Sequence, residues 1–277
     1  MAILSIQSRV TSGYVGNAAA VPILQRLGHT VWPIDTVAFS NHPAHGAYRG
    51  DKRRAEEISS LVQGLDERNL LPQCDALLTG YLGSAAAGPT VLDAAMRARL
   101  ANPDAIWCCD PVMGDNGAFY VEDGIPAFFQ NVALPAADMI LPNAFEAAYL
   151  SGLPIDTIDD AIRSANALLD KGPKTVVLTG LQNEGSVGAL VAQAGDVWRC
   201  MATPIDVTAH GAGDVFAALF VGRYVRSHNA ADALGFATAG VRSILQMTAD
   251  RHAVDLRLID ALPALDGLSA LPVEKVG

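Results

Sequence analysis

A glycine-rich turn in front of a long apolar stretch is the feature of this sequence best suited to chemistry. The segment Gly211–Asp214 reads Gly-Ala-Gly-Asp, and the residues that follow, Val215 to Gly222, carry no charge. Such a stretch predicts a helix that is buried on most sides and begins at the small residues. The first N–H groups of a helix have no hydrogen-bond acceptor inside it, and an anion can accept their hydrogen bonds. The turn therefore predicts a phosphate-binding helix start, where glycine has no Cβ to keep a phosphate away.

Asp214 gives this turn a possible catalytic role. A carboxylate there can accept the proton of an alcohol while the alcohol oxygen attacks a phosphorus atom held by the N–H groups. Asp214 is thus the candidate base of a hydroxyl kinase. Local spacing also allows a simpler role, in which Asp214 only interacts favourably with the helix dipole. His210, directly before the turn, is a rival candidate for the base.

Other well-known site motifs are missing or incomplete. The pattern GxxxxGK[ST] is absent, and GxGxxG fails because Phe216 stands where the third glycine is required. The patterns HExxH and GxSxG are also absent. These observations weigh against a classical P-loop enzyme, a dinucleotide-binding enzyme, a zinc protease and a serine hydrolase.

Composition narrows the class of protein further. The chain has 277 residues, of which 51% are hydrophobic and 17% charged, as in a globular protein. With 19 Lys and Arg against 29 Asp and Glu, the net charge of −10 repels polyanions, so neither nucleic acid nor an anionic membrane is an expected partner. The four cysteines form neither a CxxC pair nor a zinc-ligand spacing. Since the N-terminus also lacks a basic leader and no apolar run reaches about 18 residues, we expect a cytoplasmic protein.

The elements that must position the turn follow from the pattern of apolar residues. Short apolar runs alternate with amphipathic helical stretches, which predicts a mostly parallel sheet covered by helices. Later runs lie close together with turn signals between them, which predicts antiparallel strands followed by long helices from about 213 to 248. No repeat or linker is visible, so residues 1–277 are expected to form one domain. The predicted strands are Ala2–Gln7, Val31–Phe39, Asp75–Thr79, Ala105–Cys109, Asp138–Leu141, Lys174–Thr179, Val187–Gln193 and Asp196–Met201, and the early helices are Asn17–Leu27, Asp51–Arg68, Gly88–Ala101 and Asp159–Lys171.

Several segments carry a family resemblance. The Gly-Ala-Gly-Asp turn resembles the anion hole and catalytic aspartate of ribokinase-type kinases. Over roughly residues 1 to 250, further segments are similar in order and spacing to the pyridoxal kinases. These segments are Ile6–Ser8, Gly13–Asn17, Thr36–His42, Thr79–Tyr81, Cys109–Asp115 and Pro142–Glu146.

The resemblance implies a ribokinase-like three-layer α/β/α sandwich with its site at the carboxyl ends of the strands. It implies ATP-dependent phosphorylation of the 5′-hydroxymethyl group of pyridoxal, pyridoxine or pyridoxamine, as in vitamin B6 salvage. Asp214 would be the base, and Gly211, Ala212 and Gly213 would supply the anion-hole amides. Asp110, Asp115 and Glu146, the last in an Asn-x-x-Glu pattern with Asn143, would hold Mg²⁺ around the phosphates of ATP. Mg²⁺ prefers such oxygen ligands and keeps several waters.

Further roles come from the same resemblance. Ser8, Val15, His42 and Tyr81 fall where the family contacts the pyridine ring and its substituents, and Tyr120 lies in a stretch that covers the nucleotide phosphates. Thr179 matches a position that in some members contributes to a phosphate site or a monovalent-cation site, for which K⁺ is the candidate. The family usually forms homodimers, so a homodimer is expected here.

Two departures from the family pattern leave the acceptor open. After His42 the family usually has a threonine, often with a tyrosine two residues beyond it, whereas this chain has Pro43-Ala44-His45. Loss of a hydrogen-bonding hydroxyl changes how a site discriminates its ligands. His210 stands where an apolar residue is common, and it either lines the acceptor pocket or packs in the loop. A kinase of the same fold acting on hydroxymethylpyrimidine or another small alcohol is therefore one alternative, and a non-catalytic binder of pyridoxal or nucleotide is another.

Overall fold

A ten-stranded sheet forms the centre of the structure, a computed structural model that describes residues 1–277. The strands lie in the order β12-β11-β10-β9-β8-β5-β4-β1-β2-β3. A two-stranded hairpin of β6 and β7 stands apart from this sheet. The strands are β1 Ala2–Val10, β2 Thr30–Phe39, β3 Gly50–Lys52, β4 Cys74–Thr79, β5 Ile106–Cys109, β6 Gly114–Asp115, β7 Ala118–Phe119, β8 Met139–Ile140, β9 Thr175–Asn183, β10 Ser186–Gln193, β11 Asp196–Ala202 and β12 Glu274–Lys275.

Helices cover both faces of the sheet. One hydrophobic cluster packs α2, α3, α6 and α7 on one face, and a second packs α1, α8 and α9 on the other. The helices are α1 Asn17–Arg26, α2 Ala55–Glu67, α3 Ala87–Ala101, α4 Ile125–Phe128, α5 Leu134–Ala136, α6 Ala144–Ser151, α7 Ile158–Leu169, α8 Ala212–Ser227, α9 Ala230–Asp250 and α10 Leu258–Ala261. This arrangement confirms the predicted three-layer α/β/α sandwich. No helix capable of spanning a lipid bilayer is found.

The strands in the middle of the sheet are parallel. β1 pairs in parallel with β2 and β4, and parallel pairing continues through β5, β8 and β9. β10, β11 and β12 then add in antiparallel fashion. Burial on both faces explains why the central strands read as apolar runs, as in β1, where Ile3, Leu4 and Ile6 are fully buried. Parallel pairing also brings the carboxyl ends of these strands to one edge of the sheet, which is where a site is expected.

The prediction of a helix beginning at Asp51 was wrong. Gly50–Lys52 forms the edge strand β3, antiparallel to the end of β2, and α2 begins only at Ala55. Gly50 has φ +118°, and a Cβ there would lie 2.0 Å from the carbonyl oxygen of Ala38. Pairing with a neighbouring strand outweighs the local helical pattern here. The predicted strand at 138–141 is shorter than expected, since only Met139 and Ile140 pair.

Candidate active site

One cavity of about 970 Å³ brings together all the candidate residues. It opens at the carboxyl ends of the parallel strands, between the long β2–β3 connection and the start of α8. Its lining includes every site residue predicted from the sequence, namely Ser8, Val15, His42, Tyr81, Asp110, Asp115, Tyr120, Asn143, Glu146, Thr179, His210, Gly211, Ala212, Gly213 and Asp214.

Backbone hydrogen bonds hold the strand ends together at the floor of this cavity. The Asp110 N–H, just after β5, donates to the Thr79 carbonyl at the end of β4 over 2.8 Å. The Thr179 N–H in β9 donates to the Pro142 carbonyl over 3.0 Å, and Asn143 forms a parallel bridge with Thr179. Asp110 therefore lies beside the end of β4, and Asn143 lies beside Thr179, although the partners in each pair are far apart in the chain.

The glycine-rich turn begins α8 as predicted. Gly211 has φ +98°, and a Cβ there would lie 2.0 Å from the Tyr14 carbonyl oxygen, so only glycine fits without strain. The first hydrogen bond of the helix runs from the Val215 N–H to the Gly211 carbonyl over 2.9 Å, which leaves earlier N–H groups without a partner inside the helix. A Cβ at Gly213 would meet nothing within 4 Å, so open space lies over the turn. The turn has both the donors and the room that an anion needs.

Asp214 lies in the first turn of α8 and lines the cavity. Burial raises the pKa of its carboxyl from 3.8 to about 6, while the nearby backbone N–H groups of Gly16 and of Asp214 itself act in the opposite direction. Gly16 has φ +52°, and a Cβ there would lie 2.2 Å from the Ser8 carbonyl oxygen. The β1–α1 turn thus positions the carboxylate. Such a carboxylate can accept a proton near neutral pH.

Glu146 is bound mainly by backbone donors. Asn143 and Glu146 form a capping box at the start of α6, with 2.9 Å bonds in both directions. The other Glu146 oxygen accepts the N–H groups of Met113 at 2.9 Å and Gly114 at 3.4 Å, and the Asn143 amide donates to the Gly114 carbonyl. Burial raises the pKa of Glu146 to about 7 against these donors. Glu146 therefore holds the loop after β5 in place.

The other acidic candidates differ in their surroundings. Asp110 is buried, and its pKa is raised well above the ordinary value by burial and by the nearby carboxylates of Glu146 and Asp214. Asp115 is exposed on the β6–β7 hairpin, where it accepts the Asn116 N–H at 2.8 Å. Tyr120 is more than half exposed, and partial burial of its hydroxyl together with the carboxylates of Glu146 and Asp110 raises its pKa. No three histidine, cysteine, aspartate or glutamate side chains converge as ligands of one metal ion.

The candidate acceptor residues lie on the other side of the cavity. Ser8 and Val15 are buried at the end of β1 and the start of α1, and Tyr81 follows β4. The Thr36 hydroxyl donates to the Tyr81 carbonyl over 2.6 Å and so fixes the Tyr81 segment to β2. His42 lies in the loop after β2, with its ring stacked on that of His210. This wall combines apolar and aromatic faces with few charges.

Sequence reasoning missed the wall formed by β10 and α9. Val187, Ala189, Val241 and Leu245 are apolar positions with no signal that separates them from ordinary core residues. Arg242 also lines the cavity, and its guanidinium donates to the Thr203 carbonyl. It is the only charged residue between Asp232 and Asp250, and an isolated charge in an apolar helix could have drawn attention to it.

Comparison with known proteins agrees with this geometry. The family model of phosphomethylpyrimidine kinase matches residues 70–255. Pyridoxal kinase PdxY of Rubrobacter xylanophilus is 42% identical over 269 residues, covering 95% of this chain and 93% of that protein. Pyridoxal kinase PdxY of Deinococcus radiodurans is 40% identical over 270 residues, covering 94% of this chain and 91% of that protein.

Solved structures give the same result for the fold. Pyridoxal kinase from Leishmania donovani in complex with ADP and pyridoxine has a TM-score of 0.93 and 30% identity, covering 100% of this chain and 99% of that chain. A putative phosphomethylpyrimidine kinase from Bacteroides thetaiotaomicron, at 24% identity, shares the fold with a TM-score of 0.92. The sequence resemblance is thereby confirmed, and the chain belongs to the pyridoxal kinase family of ribokinase-like kinases.

Proposed function

We propose that this chain transfers the γ-phosphoryl group of ATP to the 5′-hydroxymethyl group of pyridoxal, forming pyridoxal 5′-phosphate in vitamin B6 salvage. The observation that carries this function is that the Gly211–Asp214 turn, the Asp110 segment and the His42 loop all line one cavity. One side of that cavity offers hydrogen-bond donors for phosphate, and the other side is an aromatic and apolar wall. ATP and a ring alcohol can therefore meet at Asp214.

Asp214 accepts the hydroxyl proton in the transfer step. As the proton moves to the carboxylate, the acceptor oxygen forms a bond to the γ-phosphorus, and the bond from this phosphorus to the β–γ bridging oxygen breaks to release ADP. The free N–H groups of Ala212 and Gly213 donate to the transferring phosphoryl oxygens, where negative charge concentrates. The dipole of α8 acts in the same direction.

The acidic residues near the turn fit a magnesium ion. Asp110, Glu146 and Asp214 have raised pKa values, so this end of the cavity is short of positive charge before any phosphate enters. When bound, Mg²⁺ would neutralise phosphate charge and orient the γ-phosphoryl group. Asp110 would hold it, with Asp115 at the rim, while Glu146 would act through the loop it fixes and through waters. One or two carboxylates suffice for Mg²⁺ when phosphate oxygens and waters complete its ligands.

Other parts of the proposal rest on the same arrangement. Asn143 would position the phosphate side together with Glu146, Tyr120 would cover the phosphates, and Thr179 would contact phosphate or K⁺. Ser8, Val15, His42 and Tyr81 would contact the acceptor ring. Residues 1–277 would act as one domain, since both hydrophobic clusters share one sheet. A homodimer in the cytoplasm completes the proposal, and the four buried free thiols are compatible with that compartment.

The test is turnover of the purified chain with ATP and Mg²⁺. Pyridoxal, pyridoxine, pyridoxamine and hydroxymethylpyrimidine are compared by ADP release, and the phosphorylated product is identified by mass spectrometry. The proposal requires that kcat/KM be highest for a B6 vitamer. ADP release that is independent of any acceptor, or binding of both ligands without product, would contradict it.

Hydroxymethylpyrimidine is the second candidate acceptor. The phosphomethylpyrimidine kinase model covers most of the chain, and Pro43 and Ala44 line the cavity without a hydroxyl group for the acceptor. If hydroxymethylpyrimidine has the higher kcat/KM, the same catalytic turn serves a different ring, since the turn recognises phosphate and not the acceptor.

A further inference from the structure

Three histidine rings cluster where the β2–β3 loop meets the start of α8, and two of them, His42 and His210, line the cavity. His42 and His45 lie in the loop Ser40–Arg49 that joins β2 to β3, and His210 directly precedes the catalytic turn. The rings of His42 and His210 are stacked, with centroids 4.2 Å apart and planes 18° apart. The His45 ring lies 5.5 Å from His210 and 6.0 Å from His42. The rings thus join the acceptor loop to the turn that holds Asp214.

The loop is anchored at its base and depends on these rings nearer its tip. Ser40 and Arg49 exchange two hydrogen bonds, from the Ser40 N–H to the Arg49 carbonyl at 2.7 Å and from the Arg49 N–H to the Ser40 hydroxyl at 2.9 Å. Between them the chain is largely exposed. His42 accepts the Ala44 N–H on Nδ1 at 3.3 Å, which favours the neutral ring with its proton on Nε2. The His42 ring also stacks on His210, which lies across the cavity mouth on the segment before α8.

We propose that His210 is a positioning residue for the acceptor: stacked on His42, it holds the Ser40–Arg49 loop against the catalytic turn and closes the acceptor side of the cavity. This inference rests on the proposed function and deepens it. His42, Pro43 and Ala44 line the cavity from the loop, and His210 lines it from the turn. A loop held in this way offers a flat ring a preformed wall, which lowers the ordering cost of binding.

Protonation of His42 opposes this closed arrangement. The titratable groups that act on His42 are His210 on the turn, His45 on the same loop and Asp255 on the segment after α9. Burial and then the two neighbouring histidines lower the pKa of His42 to about 4, and Asp255, 3.9 Å from His45, offsets this only in part. Because the pKa of His42 in the closed loop lies below its ordinary value of 6.5, acid favours the open loop. As pH falls below about 6.5, the equilibrium constant for closing the loop should fall by up to about tenfold per pH unit.

Binding of pyridoxal without ATP tests the inference, because Asp214 then performs no chemistry. The dissociation constant is measured from pH 8 to pH 5 for the wild type, His210→Asn and His210→Phe, and the ratio of variant to wild type at each pH cancels the titration of the ligand. At pH 8, His210→Asn should weaken pyridoxal binding about threefold to tenfold, the worth of one aromatic pair, and leave ATP binding unchanged. His210→Phe should restore binding at pH 8 and reduce the weakening in acid only in part, since burial of His42 and its neighbour His45 still disfavour a protonated His42 ring.

The outcomes separate this inference from the proposed function. A wild-type chain that phosphorylates no ring alcohol refutes the function itself. An active wild type whose His210→Asn variant binds pyridoxal unchanged, or loses pyridoxal and ATP binding equally, overturns the inference. A His210→Phe variant that fails to restore binding at pH 8 also overturns it. Thermal unfolding of both variants shows whether they are folded, as expected for an exposed residue.

Discussion

Replacement of Asp214 by asparagine should separate catalysis from stability. Asparagine keeps the shape of the side chain and an oxygen that can accept the Gly16 N–H, but it cannot take a proton from an alcohol. With a pKa of about 6, roughly nine in ten Asp214 side chains are ionised at pH 7 and available as base. Loss of a positioned base lowers kcat by roughly 10²–10⁴-fold. We expect this loss in Asp214→Asn with ATP binding retained.

The same substitution should not destabilise the fold. The folded-state pKa of Asp214 lies above its ordinary value of 3.8, so the ionised carboxylate is less stable in the fold than in the unfolded chain. This cost develops as pH rises from about 4 to about 6 and is present in full at neutral pH. The shift corresponds to at most about 3 kcal/mol. Asp214→Asn should therefore have an equal or higher Tm at pH 7.5 and little change at pH 4.

Steady-state kinetics and thermal unfolding between pH 5 and pH 9 provide the assay. The wild-type kcat/KM for ATP should fall about tenfold per pH unit below pH 6, because the base of the free enzyme becomes protonated. His210→Phe serves as the matched control for the rival base, and it should keep most of the wild-type kcat at saturating acceptor. If Asp214→Asn keeps its kcat while His210→Phe loses it, or if Asp214→Asn unfolds at a clearly lower temperature, the reasoning about this turn is refuted.

Three further predictions concern the turn, the loop after β5 and an exposed ion pair. Gly211→Ala should lower Tm and activity, because φ +98° and a Cβ 2.0 Å from a carbonyl oxygen cost about 1–3 kcal/mol or more. Gly213→Ala has open space around its Cβ, so it should raise Tm slightly but weaken ATP binding measured by calorimetry. Glu146→Gln has one oxygen for N–H groups that now use two, so it should loosen the loop after β5 and raise the KM for ATP, and an unchanged KM would contradict the role of the loop. The exposed pair Lys52–Glu122 links β3 to the segment after β7, and a double-mutant cycle should give a coupling of about 0.2–1 kcal/mol that disappears in high salt.

The fold was largely predictable because its signals are local. Apolar runs separated by amphipathic helices are consequences of burying a parallel sheet between two layers of helices, and they appear directly in the order of residues. The helix start at Ala212 was predictable for the same reason, since the glycines and the uncharged stretch after Asp214 lie next to each other. The edge strand Gly50–Lys52 was not, because it is only three residues long, all of them exposed, and is defined by its pairing with the end of β2 and not by an apolar pattern of its own.

The functional site was likewise predictable from the sequence only in part. By themselves, the residue types and their order determined the family and predicted the candidate phosphate-binding turn and the candidate base, because these depend on short segments. Only the tertiary structure decided that Asp110 is buried beside two carboxylates, that Glu146 is bound by backbone N–H groups, and that His42 stacks on His210. The physical reason is that pKa values, hydrogen-bond partners and ring contacts are set by groups close in space, and here those groups come from elements that the sheet order brings together.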